Sequence, residues 1–540
     1  MKRTVLLTLT ALLLLPLAAL HAADASANPA SGKPNIILIL ADDLGYGDPC
    51  CYGGKLVPTP AIDSLARDGV RCTDGYATAP VCAPSRCGLM TGAYNQRFGM
   101  QWNEDQWRNR SYSVPASHPL LPQALKSAGY VTGHIGKWNI GADIKGCFDE
   151  AYDVMDWEAD YFPNSDGHYR GVDNPNEPDS SKIQGVWGPE RPGEEYLTDR
   201  IGRHAVEFVD KHKAHPFFLY IAFNAVHSPW SAKASDREKF AHIKDEPLKF
   251  YAAMIASLDE NIGRLLAKLK DTGLDQNTLV AFVSDNGPAL GKSAIKIWPD
   301  SWPKEILFGS AGPLRGHKAQ FFEGGIREPF ILRWPAQLKA GQTYRQPVST
   351  MDFYATFCAA AGAPVPTATK LDGVNLLPHL RGDQSGAPHE ILFWKNGDLG
   401  AVRQGDWKLV ITQWQPKLQL FNLADDIGEQ RDLAKEKAEL AAKLHQAWLD
   451  WSATLPPRAN PPTAKPGIGK SAAPGAKPPQ DRGTLFVMKD RSGDGKLNRE
   501  EFLTSQADQE AAKARFEQWD TDKDGFLSQA EFVNMGGNSK

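Results

Sequence analysis

The chain has 540 residues, a formal net charge of −4 and 23% charged side chains. That length exceeds a single core, and the near-balanced charge supplies no global field to draw the chain to nucleic acid or an anionic membrane. Its seven cysteines are an odd number, which in an exported protein leaves one thiol without an internal partner.

The first stretch, "MKRTVLLTLTALLLLPLAALHAADASA", sets Lys2 and Arg3 before an apolar run that ends near Leu20. Small residues follow, with Ala22 and Ala25 as cleavage points. Residues 1–25 are therefore expected to be a signal peptide, making the mature chain secreted or periplasmic. A retained N-terminal membrane helix is the alternative reading, disfavoured by Pro16 and by the length that spanning requires. No later segment is apolar enough to span, so no membrane span is expected after signal removal.

"KPNIILILADDLGYGD" is a short, continuous apolar run closed by Asp42 and Asp43. Such a run fits a strand buried on both faces of a parallel sheet. "AIDSLARDGV" then has helical periodicity and a Gly stop. "LLPQALKSAGYVTGHIGKW" repeats the helix-Gly-strand order, and "HPFFLYIAF" and "TLVAFVSDNG" add strands, the latter after a helix from about Pro247 to Lys270. This alternation predicts an α/β fold with a large, mostly parallel sheet flanked by helices. Ligands gather beyond the carboxyl ends of such strands, where Asp42, Asp43, Asp285 and Asn286 stand. The expected catalytic domain is 32–347.

From about Val348 the texture changes. "GAVRQGDWKLVI" and "KLQLFNLADD" read as adjoining strands, followed by a helix to about Trp451, a smaller α+β subdomain over 348–454. Residues 455–482 contain eight prolines and no acidic residue up to Gln480, which predicts an extended tether.

An all-α pair of calcium loops is expected over 483–536. "DRSGDGKLNREE" and "DTDKDGFLSQAE" begin thirty residues apart. The first offers Asp490, Ser492, Asp494, the Lys496 carbonyl, Asn498 and Glu501. The second offers Asp520, Asp522, Asp524, the Phe526 carbonyl, Ser528 and Glu531. Oxygen at these positions, Gly at the sixth and Glu at the twelfth suit a hard cation with ~7 oxygen ligands. Ser492 makes the first loop the weaker of the two. The pair resembles an EF-hand pair, with Leu497 and Leu527 placed to join the loops by a short β-contact.

The stretch "PVCAPSRCGLMTG" (residues 80–92) carries the main chemical signal. Within it, "CAPSR" followed by "CGLMTG" resembles the signature of the type I sulfatases, the formylglycine-dependent, arylsulfatase A-like members of the alkaline phosphatase superfamily. The resemblance spans most of residues 34–432 through several separate motifs, leaving out the tether and the calcium loops. It implies that a separate formylglycine-generating enzyme oxidises Cys82 to an aldehyde, which hydrates to a diol. One hydroxyl then takes the sulfuryl group; loss of the other's proton collapses the carbon to aldehyde and expels sulfate. Two oxygens on one carbon are what a serine would lack.

Carried over residue by residue, the resemblance implies a calcium ion on Asp42, Asp43, Asp285 and Asn286, with the modified Cys82 also touching it. Arg86 would hold the diol. Lys137 in "GKWNIG" and Lys318 in "LRGHKAQFFEGG" would grip sulfate oxygens. His227 in "FNAVHSPW" would protonate the departing alcohol, aided by Lys318, and Asp285 is a further acceptor for the nucleophile's proton. The family commonly has "GKWHLG"; here Asn139 stands in place of that histidine, and an amide is no base near neutral pH. His134, His317 or a water would then replace it, or sulfate release would be slow.

The expected function is hydrolysis of sulfate esters, with sulfated carbohydrate favoured as substrate. Tryptophans in "QWNEDQWRNRSYS" and "KSAIKIWPDSWPKE" would meet sugar faces or simply shield the site. Phosphoester or phosphonate-ester hydrolysis is the nearby alternative, and a non-catalytic calcium-dependent binding protein the distant one. With Cys82 set aside, six cysteines permit three bridges without establishing any.

Overall fold

The computed structural model describes residues 32–103, 105, 114–156, 159–163, 194–292, 303, 305–366, 370–415, 417–459, 496–503, 509–528 and 531–532. The signal peptide, most of the tether, Asp490, Ser492 and Asp494 lie outside the described residues, as do most of the two tryptophan-bearing insertions. The Glu501 side chain is likewise not described. The chain forms two compact units, Met1–Pro461 and Pro462–Lys540.

The first unit is built on eight strands: β1 (Asn35–Ala41), β2 (Val70–Cys72), β3 (Val131–Lys137), β4 (Glu150–Met155), β5 (Phe217–Ala222), β6 (Thr278–Ser284), β7 (Phe330–Arg333) and β8 (Gln342–Tyr344). Their order across the sheet is β8-β2-β7-β6-β1-β5-β3-β4. β1 lies between β5 and β6 and runs parallel to both, and β3 is parallel to β5. Only β7 opposes its neighbours. The carboxyl ends of β6, β1, β5 and β3 therefore open on the same edge.

Period-two alternation divides the core. In β1, Ile36, Leu38 and Leu40 join one apolar cluster while Ile37, Ile39 and Ala41 join the other, all fully buried. Three helices cover the second face: α1 (Pro60–Arg67), α4 (Leu197–His212) and α5 (Glu246–Asp271). The first face is covered by α2 (Cys82–Thr91), α3 (Leu121–Ser127) and α6 (Asp352–Ala361). A strand wetted on neither face must be apolar throughout, which is why "NIILILA" shows no alternation in sequence.

α6 lies beyond the expected domain boundary at 347, yet it buries Phe353 and Phe357 against the large sheet. The smaller sheet starts later, as the antiparallel meander β9 (Ile391–Asn396), β10 (Leu399–Gln404), β11 (Trp407–Ile411) and β12 (Leu418–Asn422). α7 (Ala438–Ala453) packs on it through Leu444 and Trp448. The start of the proline-rich stretch is also docked rather than free. Arg458 reaches Asp105 at 2.7 Å, and the Ala459 amide donates to the Gly99 carbonyl at 2.8 Å. Composition averaged over that stretch hides an arginine with a buried partner.

In the second unit, β13 (Lys496–Leu497) pairs antiparallel with β14 (Leu527–Ser528), setting Leu497 opposite Leu527. α8 (Arg499–Leu503) and α9 (Gln509–Trp519) flank them, and Phe502, Phe516 and Phe532 close a small core. Among the described residues, no helix is long and apolar enough to cross a membrane.

Candidate active site

Four parallel strands deliver the polar residues. Asp42 and Asp43 follow β1, Asp285 and Asn286 follow β6, Lys137 ends β3, and His227 sits in the loop after β5. The loops are tied together: the Asp42 amide donates to the Ala225 carbonyl and the Val226 amide donates back to Asp42, at 3.0 and 2.8 Å. Asp43 has a left-handed backbone, φ 64°, which aspartate tolerates better than most residues. Its amide there donates to Asp285 Oδ1 at 3.2 Å.

Cys82 is the first residue of α2, and Arg86 lies one turn further along, with both side chains buried. Arg86 donates from Nε and a terminal nitrogen to Asp285 Oδ2, at 3.0 and 2.8 Å, and from the other terminal nitrogen to the Lys137 carbonyl at 2.8 Å. Lys137 Nζ meets Asp42 Oδ2 at 2.5 Å. Lys318 Nζ reaches Asp43 Oδ1 at 2.6 Å and Cys82 Sγ at 3.2 Å. The His227 Nε2 is 3.6 Å from Asp43 Oδ2. All the residues predicted around Cys82, apart from Asn139, thus interlock.

The charges explain the protonation states. Burial alone would raise Asp42, but Lys137, His227, Arg86 and Lys318 hold it well below the usual carboxylate range. Asp285 is pushed up to about 6 by burial and by Asp42, against the pull of Arg86. Burial, then the charges of Lys137 and Lys318, lower His227 and keep it neutral near pH 7. Lys318 stays protonated: burial opposes its charge, but Asp43, Cys82, Asp42 and Asp285 together more than offset it. Cys82 is pushed up to about 12 by burial despite the two lysines. As a plain thiol it is protonated and a poor nucleophile.

Asp42, Asp43, Cys82 and His227 bring one ligand atom each within 4.8 Å of one another. Asn286 donates to Asp43 Oδ1 at 2.7 Å, while its own Oδ1 is buried with no hydrogen-bond partner among the described residues. An oxygen left bare beside three carboxylates suits a hard, oxygen-ligated cation, so these residues fit the expected metal.

Two proposed substitutes for the missing histidine fare differently. His134 is buried among the rings of Trp138, Phe148 and Tyr220, with Nε2 on the Gly136 carbonyl, and burial lowers it to about 3. A side chain sealed in aromatic packing with so little proton affinity does not serve as the base. His317 remains partly exposed beside Lys318, its Nδ1 at the Lys318 carbonyl. Asn139 itself is buried with φ 56°, and its amide donates to the Asp156 carbonyl.

The sequence reading missed Glu328, whose two oxygens are buried with no hydrogen-bond partner among the described residues and whose carboxyl is raised well above its ordinary value by burial and the nearby acids. It also missed a buried network in which Lys408 bridges Glu323 and Glu429. Glu328, Lys408 and Glu429 lie outside the motifs, and although Glu323 falls within "LRGHKAQFFEGG", its partners come from distant segments. All seven cysteines are free thiols, so none of the permitted bridges forms. In the second unit Asp520, Asp522 and Asp524 cluster, whereas the Glu531 carboxylate binds the Thr521 and Ser528 amides at 2.8 and 2.9 Å.

The parallel sheet gathers carboxylates, lysines and a buried cysteine at its strand ends, and comparison with known proteins gives the class, a hydrolase of the sulfuric ester type. Residues 34–363 match the sulfatase family, and residues 317–450 match the C-terminal region of N-sulphoglucosamine sulphohydrolase. The chain belongs to the sulfatase family. Residues 512–535 match the EF hand. The chain is 30% identical to steryl-sulfatase of Mus musculus over 549 residues, covering 80% of this chain and 85% of that one. It is 33% identical to N-acetylgalactosamine-6-sulfatase of Homo sapiens over 429 residues, covering 74% and 76%. The crystal structure of Ps i-CgsB in complex with k-i-k-neocarrahexaose is 34% identical, covers 79% of this chain and 94% of that chain, and superposes with a TM-score of 0.67.

Proposed function

We propose that this sulfatase is exported and removes sulfate from a carbohydrate, using a formylglycine made from Cys82 and a calcium ion held by Asp42, Asp43, Asp285 and Asn286. The hydrated aldehyde supplies two hydroxyls on one carbon, and the cation supplies fixed positive charge beside them. The observation that carries this reading is the state of Cys82: a buried thiol pushed up to about 12, set against Lys318 and Asp42. That environment disables a thiol nucleophile but is well furnished for an anionic ester.

The chain's own residues then divide the work. Lys137 and Lys318 face the negative charge that grows on sulfate oxygens, where preorganised donors contribute most. Arg86 fixes Asp285 and the end of β3 in one grip. His227 Nδ1 lies 2.7 Å from the Ser228 carbonyl, so the neutral ring carries its proton there and presents a bare Nε2 to the site. It acts as the acid after taking a proton, which an arriving anion between the two lysines favours. A carbohydrate substrate is supported by the neocarrahexaose in the related crystal structure and the N-acetylgalactosamine-6-sulfatase likeness. The signal-like residues 1–25 support export, and the paired calcium loops support two further ions bound after the tether.

Mass spectrometry of the Cys82 peptide from protein made in its native host tests the nucleophile. Formylglycine there, with hydrolysis of an aryl sulfate well above that of the matched aryl phosphate, is the expected result. An intact thiol in active enzyme overturns it.

A further inference from the structure

A cavity of about 220 Å³ opens immediately beyond Lys318. One wall is the segment that follows the lysine, Ala319 to Phe322; the other is the small sheet, through Leu399, Val410 and Ile411. Ala319 ties this wall to the nucleophile: its amide donates to the Pro80 carbonyl at 2.8 Å, two residues before Cys82. We propose that this cavity is a subsite for one unsulfated pyranose ring of the substrate, next to the sugar that loses its sulfate. The proposal rests on the reading that the site acts on a saccharide.

Size and chemistry select this occupant. Drug-sized ligands fill about 300–1,000 Å³, so the space suits one ring and not a fused four-ring skeleton. None of the described side chains that line it is charged. A sulfated ring held there would lose its hydration without a countercharge, whereas a neutral ring would not. The walls are largely apolar, with amides from Gln320, Asn396 and Gln413. That mixture matches a sugar ring, which presents C–H faces and hydroxyl edges.

Two tryptophans, Trp102 and Trp414, complete the lining. Trp414 is 54% exposed. A single exposed aromatic is ordinary, but this one borders a cavity and its loop is fastened. Thr412 donates from Oγ1 to the Trp414 carbonyl at 3.1 Å, and the Thr412 amide donates to the Lys417 carbonyl at 2.8 Å. Trp102 is held from behind, its amide donating to Asp105 Oδ2 at 2.8 Å. Arg458 locks that aspartate at 2.7 Å and also donates to Asn396 Oδ1 at 3.0 Å. One arginine thus positions an aromatic ring and an amide of the same cavity.

The test is calorimetric titration of the full-length enzyme with two carrageenan hexasaccharides, one with unsulfated and one with sulfated rings between the rings that lose sulfate, alongside turnover of nitrophenyl sulfate. At least one hexasaccharide is expected to bind wild type. Its affinity should fall about tenfold in Trp414→Ala and return to within about threefold in Trp414→Phe, with nitrophenyl sulfate kinetics unchanged. Failure of both saccharides to bind wild type, or equal affinity in wild type and Trp414→Ala, overturns the subsite. The function reading fails separately, through nitrophenyl sulfate turnover that is absent in wild type or survives Cys82→Ala.

Discussion

Lys318 Nζ stands 3.2 Å from Cys82 Sγ and 2.6 Å from Asp43 Oδ1, although 236 residues separate the lysine from the cysteine. The contact joins Cys82 to a carboxylate at the end of β1 through one ammonium group. Lys318→Ala is expected to lower kcat for an aryl sulfate by about a hundred- to a thousandfold, the usual cost of deleting a donor aimed at developing charge. Steady-state kinetics check this, and a loss below about threefold would remove Lys318 from the sulfate-binding group.

On the proposed reading Asn139 stands where the family has its base, so release of sulfate should be the slow half of turnover. Rapid-quench measurement is expected to show a burst of alcohol equal to the enzyme concentration before steady turnover. Asn139→His, whose backbone tolerates φ 56° comparably, should shrink the burst and raise the steady rate. A wild-type time course without a burst would count against slow release.

Chelation separates the two classes of cation. A chain ending at Pro461 keeps the first compact unit and loses the second. It is expected to retain aryl sulfate turnover and to lose it on treatment with a strong chelator, as the full chain does. Calcium should restore both. Chelator-resistant turnover in the shortened chain would place calcium in the terminal loops alone.

Lys408 is completely buried between Glu323, at 2.7 Å, and Glu429, at 3.0 Å. Burial opposes the Glu323 charge, but Lys408, Arg327 and Arg403 hold it down to about 2, whereas burial pushes Glu429 up to about 7. Lys408→Met strands the acids and should cost about 3–5 kcal/mol in urea unfolding, the range for breaking a buried ion pair. A cost under about 1 kcal/mol would mean the pair is compensated elsewhere.

His389 Nε2 lies 2.8 Å from Asp352 Oδ1. Burial disfavours its charge, yet the Asp352 charge and hydrogen bond raise it above the ordinary 6.5. A histidine raised on folding binds its proton more tightly in the native state. Its contribution is therefore complete below the unfolded value and fades as pH climbs from there through the folded value. Denaturant midpoints should decline over that interval in wild type and much less in His389→Gln; parallel profiles for the two proteins would remove this pair as the cause.

Much of the site was readable because its residues sit in short motifs at strand ends. "ILILADD" and "VAFVSDNG" each join a buried apolar run to its terminal acids within a few residues, and the Cys82–Arg86 spacing is one helical turn. The pairing of the two terminal loops was readable for the same reason, and Leu497 faces Leu527 as the loop spacing implied. Other outcomes depended on what the chain packs against. His134 and Lys137 share one strand, but only folding seals the first among aromatic rings and sends the second to Asp42. Arg458 looks like a tether residue until it meets Asp105.

By itself, the order of residues settled the main strands and helices and the acids at the strand ends, since these follow from local periodicity and spacing, while the role expected of Cys82 came from a family resemblance. Which charges neutralise one another, which histidine stays available and where a sugar-sized cavity opens were decided by tertiary structure alone. Electrostatic and packing energies depend on distances between segments hundreds of residues apart, and parallel strand register, not sequence proximity, sets those distances.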